Sequence, residues 1–436
     1  MKRNILEILV SWKDSTSRKP IIIRGARQVG KTYSIKEFGS EHFSNVVALD
    51  FERDRSLSAI FEKDLDPKKI IFDLEIHTGS RIVPGETLLF FDEIQACERA
   101  LMSLRYFYEE IPQLHVIAAG SLLEFAMSRI SFPVGRVSFE WMRPMTFKEF
   151  LIACNKEILA ENIPSVFMQK PLSETLHNSL LEQLRLYFIV GGMPEAVKKF
   201  VETGSASAVK KVHDDIIYSY IQSLVKYDSK TDIESLEQII KVIPSKVGHQ
   251  IKYTHLDPVR RIEVTKTSLN ILEKAQLVNL IHSTTVSGLP LGADISSKIF
   301  KPLFLDIGLM QSVCGIDPKE SITAADLNNV YKGAVAEQFV GQELLAAGGS
   351  ENNKLYYWSR QKKSSSSEVD FVFVRNGKIY PIEVKSGSKG RMKSMHIFLE
   401  EHPEIEKGFV LSSTFSENQL VDKMVFAPIY SELVSY

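Results

Sequence analysis

The feature that most constrains this chain is the octapeptide Gly25–Thr32, which reads GARQVGKT. It fits the pattern G-x-x-x-x-G-K-[ST] in full, with the apolar run PIIIR before it and a helical pattern after it. In that context the glycines let backbone N–H groups curl around phosphates, and the dipole of the following helix favours their negative charge. The competing interpretation is a chance glycine turn, and the strand-loop-helix context counts against it.

Four short apolar runs indicate a sheet around this loop. They are PIIIR, NVVALDF, TLLFFDE and LHVIAAG, and helical patterns separate them. Short β-branched or aromatic runs of this kind are typical of strands buried on both faces. Their alternation with helices predicts an α/β domain with a parallel sheet over residues 1–150.

The loop and the third run together predict a nucleotide site. The Lys31 ammonium can reach the β- and γ-phosphates, and the Thr32 hydroxyl suits Mg²⁺. Asp92 ends TLLFFD and can hold Mg²⁺ through water, while Glu93 can act as a general base on the attacking water. Alternatively, Asp92 and Glu93 cap the next helix. The residues expected to bind ATP are Gly25, Ala26, Arg27, Gln28, Val29, Gly30, Lys31, Thr32 and Asp92.

Polar residues downstream could complete this site. Ser121 follows LHVIAAG and could sense the γ-phosphate or orient water, or it could simply cap a helix. Arg129, Arg136 and Arg143 are candidates to stabilise transition-state charge, either in cis or from a neighbouring subunit. For each arginine, a solvated surface position is the competing interpretation.

A helix-turn-helix pattern lies in the middle of the chain. The stretch YTHLDPVRRIEVTKTSLNILEKAQLVNLI predicts two helices and a strand, with Lys266, Thr267, Asn270 and Lys274 away from the apolar stripe. Such a helix could enter the DNA major groove while nearby Arg260 and Arg261 contact phosphates. Such modules also serve as dry packing elements, and lysine on a helix face is usually just solvated.

The stretch EVDFVFVRNGKIYPIEVKS predicts a β-hairpin with a turn at Asn376-Gly377. That turn sets Asp370 opposite Glu383, and Glu368 opposite Lys385. Two facing carboxylates repel unless a proton or a cation lies between them, and Mg²⁺ would relieve the repulsion. The alternative is a Glu368–Lys385 ion pair with both other acids merely exposed.

The motifs GARQVGKT, FDEIQ, GSLLEF, GRVSFEWMRPMTFKEF, GGMPEAV and FLDIGLM, in this order, resemble a family of bacterial and archaeal AAA-type P-loop ATP-binding proteins. The resemblance covers nearly the whole chain. It implies an α/β architecture of four parts: a P-loop AAA-type ATPase domain at 1–150, a helical lid at 151–230, a winged-helix-like domain at 231–318 and a PD-(D/E)XK nuclease-like domain at 319–436. It also implies that GGMP (residues 191–194) lies near the nucleotide base. The alternative interpretation of GGMP is a turn that ends a helix.

The same resemblance implies a second site. Asp370 followed by Glu383-Val384-Lys385 fits the nuclease pattern D…E-x-K. The resemblance implies that Lys385 is catalytic and that the ligands of Mg²⁺ or Mn²⁺ are Glu337, Asp370 and Glu383. Metal-activated water and charge stabilisation are what phosphodiester hydrolysis needs. Arg360, Lys362 and Lys363 could attract a nucleic-acid backbone. The serine-rich loop Lys362–Ser367 is longer than we expect for this family, so an inactive nuclease-like site remains an alternative.

Composition limits the setting and the partners. A net charge of −1 restricts any nucleic-acid surface to a local patch, and three scattered cysteines favour a reducing compartment. No apolar stretch is long enough to span a bilayer, so we expect a cytoplasmic protein without membrane contact. Expected partners are ATP and DNA or another nucleic acid, with oligomerisation left open.

The predicted function is an ATP-hydrolysing enzyme coupled to nucleic-acid binding and to metal-dependent phosphodiester cleavage. The alternative is a nucleotide-operated switch or binding module whose nuclease-like domain does not cut. The metal site discriminates between these two functions.

Overall fold

A computed structural model describes most of the chain as two compact units, Met1–Arg143 and Pro144–Tyr436. Arg129, Lys362 and Lys363, which the sequence patterns singled out, lie outside the described residues. The described residues are 1–127, 135–167, 172–225, 232–295, 298–316, 331–348, 354–360, 367–385, 392–414 and 419–433.

The first unit is built on a five-stranded parallel sheet with the order β2-β3-β4-β1-β5. The four strands predicted from apolar runs are confirmed. The fifth was not predicted, because its SFEW sequence is only half-buried at the sheet edge and carries no apolar run. The strands are β1 Ile21–Arg24, β2 Asn45–Asp50, β3 Thr87–Asp92, β4 His115–Gly120 and β5 Ser138–Trp141.

The order of these strands places the nucleotide motifs at one edge of the sheet. The chain passes from β1 to β2 across two intervening strands, β4 and β3, so the sheet reverses its winding direction beside β1. Ligands of open parallel sheets bind at such switch points, outside the carboxyl ends of the strands. The helices of this unit are α1 Ile5–Asp14, α2 Lys31–His42, α3 Ser58–Glu62, α4 Pro67–Thr78, α5 Glu98–Glu110 and α6 Leu123–Met127.

The second unit begins with a helical region, as predicted. Its amphipathic helices bury apolar faces, and a capping box formed by Thr146 and Glu149 fixes the start of the first one. The helices are α7 Phe147–Ala153, α8 Glu157–Glu161, α9 Glu174–Val190, α10 Pro194–Thr203, α11 Ala206–Val225, α12 Ile233–Val242, α13 Ile262–Lys274, α14 Ile307–Val313, α15 Tyr331–Ala347 and α16 Lys393–Glu401.

A mixed eight-stranded sheet completes the second unit, in the order β12-β13-β11-β10-β9-β8-β6-β7. Its first two strands, β6 and β7, fall within the range predicted as winged-helix-like, yet β6 pairs in parallel with β8. They therefore belong to the same sheet as the C-terminal strands. The strands are β6 Val278–Thr284, β7 Phe300–Phe304, β8 Tyr356–Ser359, β9 Glu368–Arg375, β10 Lys378–Lys385, β11 Gly408–Ser412, β12 Gln419–Val421 and β13 Met424–Pro428.

The register predicted for the hairpin of β9 and β10 is confirmed from Arg375 opposite Lys378 to Phe371 opposite Ile382. Asn376 and Gly377 both have positive φ, at 49° and 70°, as a two-residue turn of this hand requires. The register follows from local turn chemistry, which is why the sequence alone determined it.

None of the described helices combines the length and the apolar character needed to cross a membrane.

Candidate nucleotide site and carboxylate cluster

The backbone explains both glycines of the Gly25–Thr32 loop, Gly25 and Gly30. Gly25 has a φ of 155°, and a Cβ there would lie 2.2 Å from the carbonyl oxygen of Met142. Gly30 has a φ of 96° and stands immediately before α2. A side chain at the first glycine would collide with backbone, and the second favours glycine by its left-handed conformation. The loop thus curls into the N-terminus of α2, where backbone N–H groups can meet anionic phosphate.

Two oxygen groups meet beside this loop. The Thr32 hydroxyl donates to Asp92 Oδ2 at 2.8 Å. Burial, as the largest cause, raises the pKa of Asp92, and the Thr32 hydrogen bond opposes that rise. Hydroxyl and carboxylate oxygens are ligands that Mg²⁺ accepts together with water and phosphate oxygens. Thr32 and Asp92 therefore fit the magnesium ion that a bound ATP would bring.

The Lys31 ammonium contacts the backbone of the loop to which Lys31 belongs. Its Nζ donates to the carbonyl oxygens of Gly25 at 2.9 Å and Ala26 at 2.8 Å. Burial lowers the pKa of Lys31 to about 8, although the charges of Glu93 and Asp92 oppose this. A lysine held only by neutral carbonyls in a buried place gains from an anionic partner, and phosphate oxygens would supply one.

A hydrogen bond joins Glu93 to Ser121. Glu93 Oε2 accepts from Gln95 Nε2 at 2.5 Å and from the Ser121 hydroxyl at 3.3 Å. The Ser121 hydroxyl also accepts from Arg27 Nε at 3.3 Å, which links the loop to the Glu93 carboxylate. The helix CERALMSL begins at Glu98 with Cys97 at its N-cap position and no side-chain capping hydrogen bond. The alternative in which Asp92 and Glu93 cap that helix is therefore wrong.

The candidate arginines of this unit have different surroundings. Arg136 is exposed, and its Nε donates to Glu109 Oε1 at 2.8 Å. Arg143 is buried, its guanidinium stacks over Trp141, and burial lowers its pKa to about 10. The sequence patterns missed Arg3, whose guanidinium donates to the carbonyl oxygens of Val29 and Arg143, each at 2.7 Å. Arg3 is a single arginine before the first helix, and nothing in the adjacent sequence predicts that contact.

In the second unit, the GGMP turn (residues 191–194) ends one helix and begins another. Gly191 closes α9 with a φ of 70°, and Pro194 is the first residue of α10. The Gly192 N–H donates to Asp306 Oδ2 at 2.6 Å. A Cβ on Gly192 would lie 2.1 Å from the Met145 carbonyl oxygen. The helix-ending turn is confirmed, whereas proximity to a nucleotide base stays a prediction.

The predicted residues of the C-terminal site do come together, at the end of the β9–β10 hairpin. Asp370 Oδ2 accepts from the Val384 N–H at 2.8 Å, and Glu383 Oε1 accepts from Lys385 Nζ at 2.5 Å. Glu383 is buried, and its other carboxylate oxygen has no hydrogen-bond partner among the described residues. The alternative in which Asp370 and Glu383 are merely exposed is therefore wrong. Lys385 pairs with Glu383 in this arrangement.

A lysine that the sequence patterns missed lies among these acids. Lys301 Nζ, from β7, is 2.7 Å from Glu337 Oε2, 2.7 Å from Glu368 Oε1 and 3.4 Å from Asp370 Oδ1. Burial alone would lower the pKa of Lys301, but these three carboxylates raise it well above its usual value. The available signal was one lysine inside the otherwise apolar run IFKPLFL.

Two of the carboxyl groups around Lys301 and Lys385 have raised pKa values. Burial, and next the charge of Asp370, raise the pKa of Glu337 to about 8 and that of Glu383 to about 7. Among the residues that the structure describes, no group of three or more histidine, cysteine, aspartate or glutamate side chains is arranged to hold a metal ion. The carboxylate cluster comprises Glu337, Glu368, Asp370 and Glu383, with Lys301 and Lys385 as the two ammonium groups.

The basic residues expected to contact nucleic acid are partly engaged elsewhere. Arg260 lies within 3.4 Å of carboxylates of Asp232, Glu234 and Asp257. Arg360 donates to Glu401. On α13, Lys266 is exposed and its ammonium stands over the Tyr253 ring. A phosphate contact by Arg260 would have to displace acidic partners, which weighs against that role.

Family models match three parts of the chain. Residues 17–151 match the AAA domain family, which supports an AAA-type P-loop ATPase domain in that part of the chain. Residues 181–320 and 332–431 match two domains of unknown function, DUF8612 and DUF4143. No curated protein sequence matches the chain.

Solved structures show only a distant likeness. Aeropyrum pernix ORC1 in complex with DNA is 11% identical, with 72% of this chain and 91% of that chain covered and a TM-score of 0.30. The Thermotoga maritima RuvB Holliday junction branch migration motor is 13% identical, with 67% and 90% covered and a TM-score of 0.29. AMPPCP-bound DnaA from Aquifex aeolicus is 13% identical, with 62% and 86% covered and a TM-score of 0.26. Scores this low say nothing of what this chain binds.

Proposed function

We propose that this chain binds ATP with Mg²⁺ at Gly25–Thr32, hydrolyses it, and acts as a nucleotide-operated switch for binding by its second unit. The contact between the Thr32 hydroxyl and the Asp92 carboxylate carries the proposal. It joins the end of the phosphate loop to the end of a neighbouring strand and supplies two adjacent oxygen groups. The match of residues 17–151 to the AAA domain family supports the same activity.

Each residue of the site has a distinct task in this proposal. The loop N–H groups and Lys31 bind the phosphates, while Thr32 and Asp92 hold the magnesium ion. When bound, the magnesium ion neutralises part of the negative charge of the phosphates. Glu93 accepts the proton of the attacking water, and Ser121 orients the Glu93 carboxylate through their hydrogen bond.

ATP hydrolysis by matched variants tests this proposal. Lys31→Ala should lose nucleotide binding, whereas Lys36→Ala, an exposed lysine of the same helix, should keep it. Glu93→Gln should keep nucleotide binding and lose about 10²–10⁴-fold in turnover, as expected for a general base. Glu98→Gln, an exposed acid nearby, is its control. Unchanged hydrolysis in both Lys31→Ala and Glu93→Gln would refute the proposal.

A second candidate is metal-dependent cleavage of a nucleic-acid phosphodiester by the C-terminal region. The observation that favours it is the approach of Asp370, Glu383 and Lys385 at one end of the hairpin. Within the part of the chain that the structure describes, one buried Glu383 oxygen also has no hydrogen-bond partner. Glu337, Asp370 and Glu383 would hold Mg²⁺ or Mn²⁺, and Lys385 would face the phosphate. The Lys301 ammonium competes with that role, because it already neutralises Glu337 and Asp370.

A cleavage assay separates the two candidates. Purified chain is incubated with single- and double-stranded DNA and RNA, with Mg²⁺ or Mn²⁺, and with or without ATP. Cleavage that disappears in Asp370→Asn and Lys385→Ala, but persists in the exposed Lys378→Ala, supports cutting. Hydrolysis of ATP without any cleavage supports the switch.

A further inference from the structure

Lys301 is an unusual residue for its position. It stands in β7, whose side chains are all buried, and only 3% of its surface is exposed. The rest of the strand is apolar, so an apolar residue would be the ordinary occupant. A lysine is kept in such a place only where opposite charges surround its ammonium group.

The surroundings of the ammonium are carboxylates from two separate elements. Glu337 comes from α15, while Glu368 and Asp370 come from β9. Their oxygens lie 2.7, 2.7 and 3.4 Å from Lys301 Nζ. Gln250 Nε2 donates to the other oxygen of Glu368 at 2.6 Å, which fixes that carboxylate. The ammonium thus occupies a pocket built by converging acids, as a bound cation would.

A divalent ion does not fit this arrangement beside the lysine. Mg²⁺ needs oxygen ligands at about 2.0–2.1 Å in near-ideal octahedral geometry, and it keeps several waters. Glu337 and Asp370, two of its would-be ligands, each already place one oxygen on the Lys301 ammonium, and Glu383 places one on Lys385. A second cation within a few ångströms of the first would also be repelled strongly in a buried place.

We propose that Lys301 is the resident cation of the carboxylate cluster and that it determines that the cluster binds no divalent metal. This inference is independent of ATP hydrolysis by the first unit. It bears on the second candidate function, because a cluster filled by a lysine supplies no metal for cleavage.

Binding of Mn²⁺ to the nucleotide-free full-length chain tests this inference, with isothermal titration calorimetry and the electron paramagnetic resonance of free Mn²⁺ as readouts. The Lys301→Met variant keeps the apolar stem and removes the charge. We expect it to gain one site that binds at least about tenfold tighter than any cluster site of the wild type, since a buried repulsion has been removed. The double variant Lys301→Met/Asp370→Asn should lose that site, and Lys301→Arg should not gain it.

Two results would overturn the inference. One is that the Lys301→Met variant folds but binds Mn²⁺ no more tightly than the wild type. The other is a wild-type site of sub-millimolar affinity that Asp370→Asn abolishes. The comparison of wild type with Asp370→Asn leaves Lys301 in place, so it can still overturn the inference if Lys301→Met fails to fold. Any Mn²⁺ bound at Thr32 and Asp92 contributes equally to the binding measured for wild type and for Asp370→Asn, so it does not affect the comparison. Equal, weak binding by the two supports the inference.

Discussion

The Thr32 hydroxyl donates a 2.8 Å hydrogen bond to Asp92 Oδ2, across 60 positions of sequence. The contact exists because α2 begins immediately after the phosphate loop and β3 ends at Asp92. It makes the end of the loop and the end of the strand a single oxygen-rich site, where Mg²⁺ and phosphate can be held together.

Thr32→Val should remove the magnesium dependence of nucleotide binding. The substitution keeps the shape of the side chain but deletes the hydroxyl that contacts Asp92. We expect ATP affinity in EDTA to be nearly unchanged, while turnover with Mg²⁺ falls about 100-fold, as for the loss of one preorganised electrostatic group. Fluorescent ATP titrations with and without Mg²⁺ measure the first quantity, and phosphate release measures the second. A variant with the wild-type magnesium response would contradict the assignment.

Ser121→Ala should slow hydrolysis without weakening ATP binding. Its hydroxyl joins Arg27 to the Glu93 carboxylate, so its loss leaves that carboxylate less well oriented. We expect a fall of about fivefold to tenfold in kcat with little change in KM, which corresponds to the net contribution of about one hydrogen bond. Steady-state kinetics of this variant, beside the exposed Ser40→Ala as control, give the comparison. A change confined to KM would point to a binding role instead.

Gly192→Ala should destabilise the second unit. A Cβ at this position would lie 2.1 Å from the backbone oxygen of Met145, so the GGMP turn and the chain beside it would have to separate. We expect a loss of about 2–4 kcal/mol in the free energy of unfolding, in the range of overpacked buried sites. Gly333→Ala is the matched control, because no described atom beyond its chain neighbours and its own helix backbone lies within 4 Å of a Cβ there. Urea unfolding followed by circular dichroism should show the control equal to or slightly more stable than the wild type.

Glu343→Gln should flatten the dependence of stability on pH. Burial raises the pKa of Glu343 to about 8, even though its carboxylate accepts the Phe147 N–H. The folded state therefore holds a proton that the unfolded state releases above its ordinary pKa, so stability falls as pH rises from about 4.5 to 8. A glutamine still accepts that N–H and carries no charge.

We expect Glu343→Gln to exceed the wild type by about 1–3 kcal/mol in unfolding free energy at pH 8.5 and to match it near pH 5. Urea unfolding at a series of pH values measures this difference. The exposed Glu400→Gln should follow the wild-type profile. A parallel pH profile for Glu343→Gln and the wild type would show that Glu343 ionises normally.

The sequence by itself determined the features that depend on neighbours along the chain. The apolar runs predicted four strands of the first sheet, the glycine pattern predicted the phosphate loop, and Asn376-Gly377 predicted the hairpin register. Each rests on local backbone chemistry, since side-chain periodicity, positive φ at glycine and turn geometry are properties of a few adjacent residues.

Only the tertiary structure decided which distant charges meet. Lys301 reaches Glu337, Glu368 and Asp370 because β7 joins the same sheet as β9 and lies under α15. The link from Arg27 through Ser121 to Glu93 likewise depends on how three chain segments converge. Such contacts are invisible in local patterns, because a lysine in an apolar run shows that a counter-charge is needed but not where it comes from. The long-range fold thus determined whether the acids of the hairpin face a metal or a lysine.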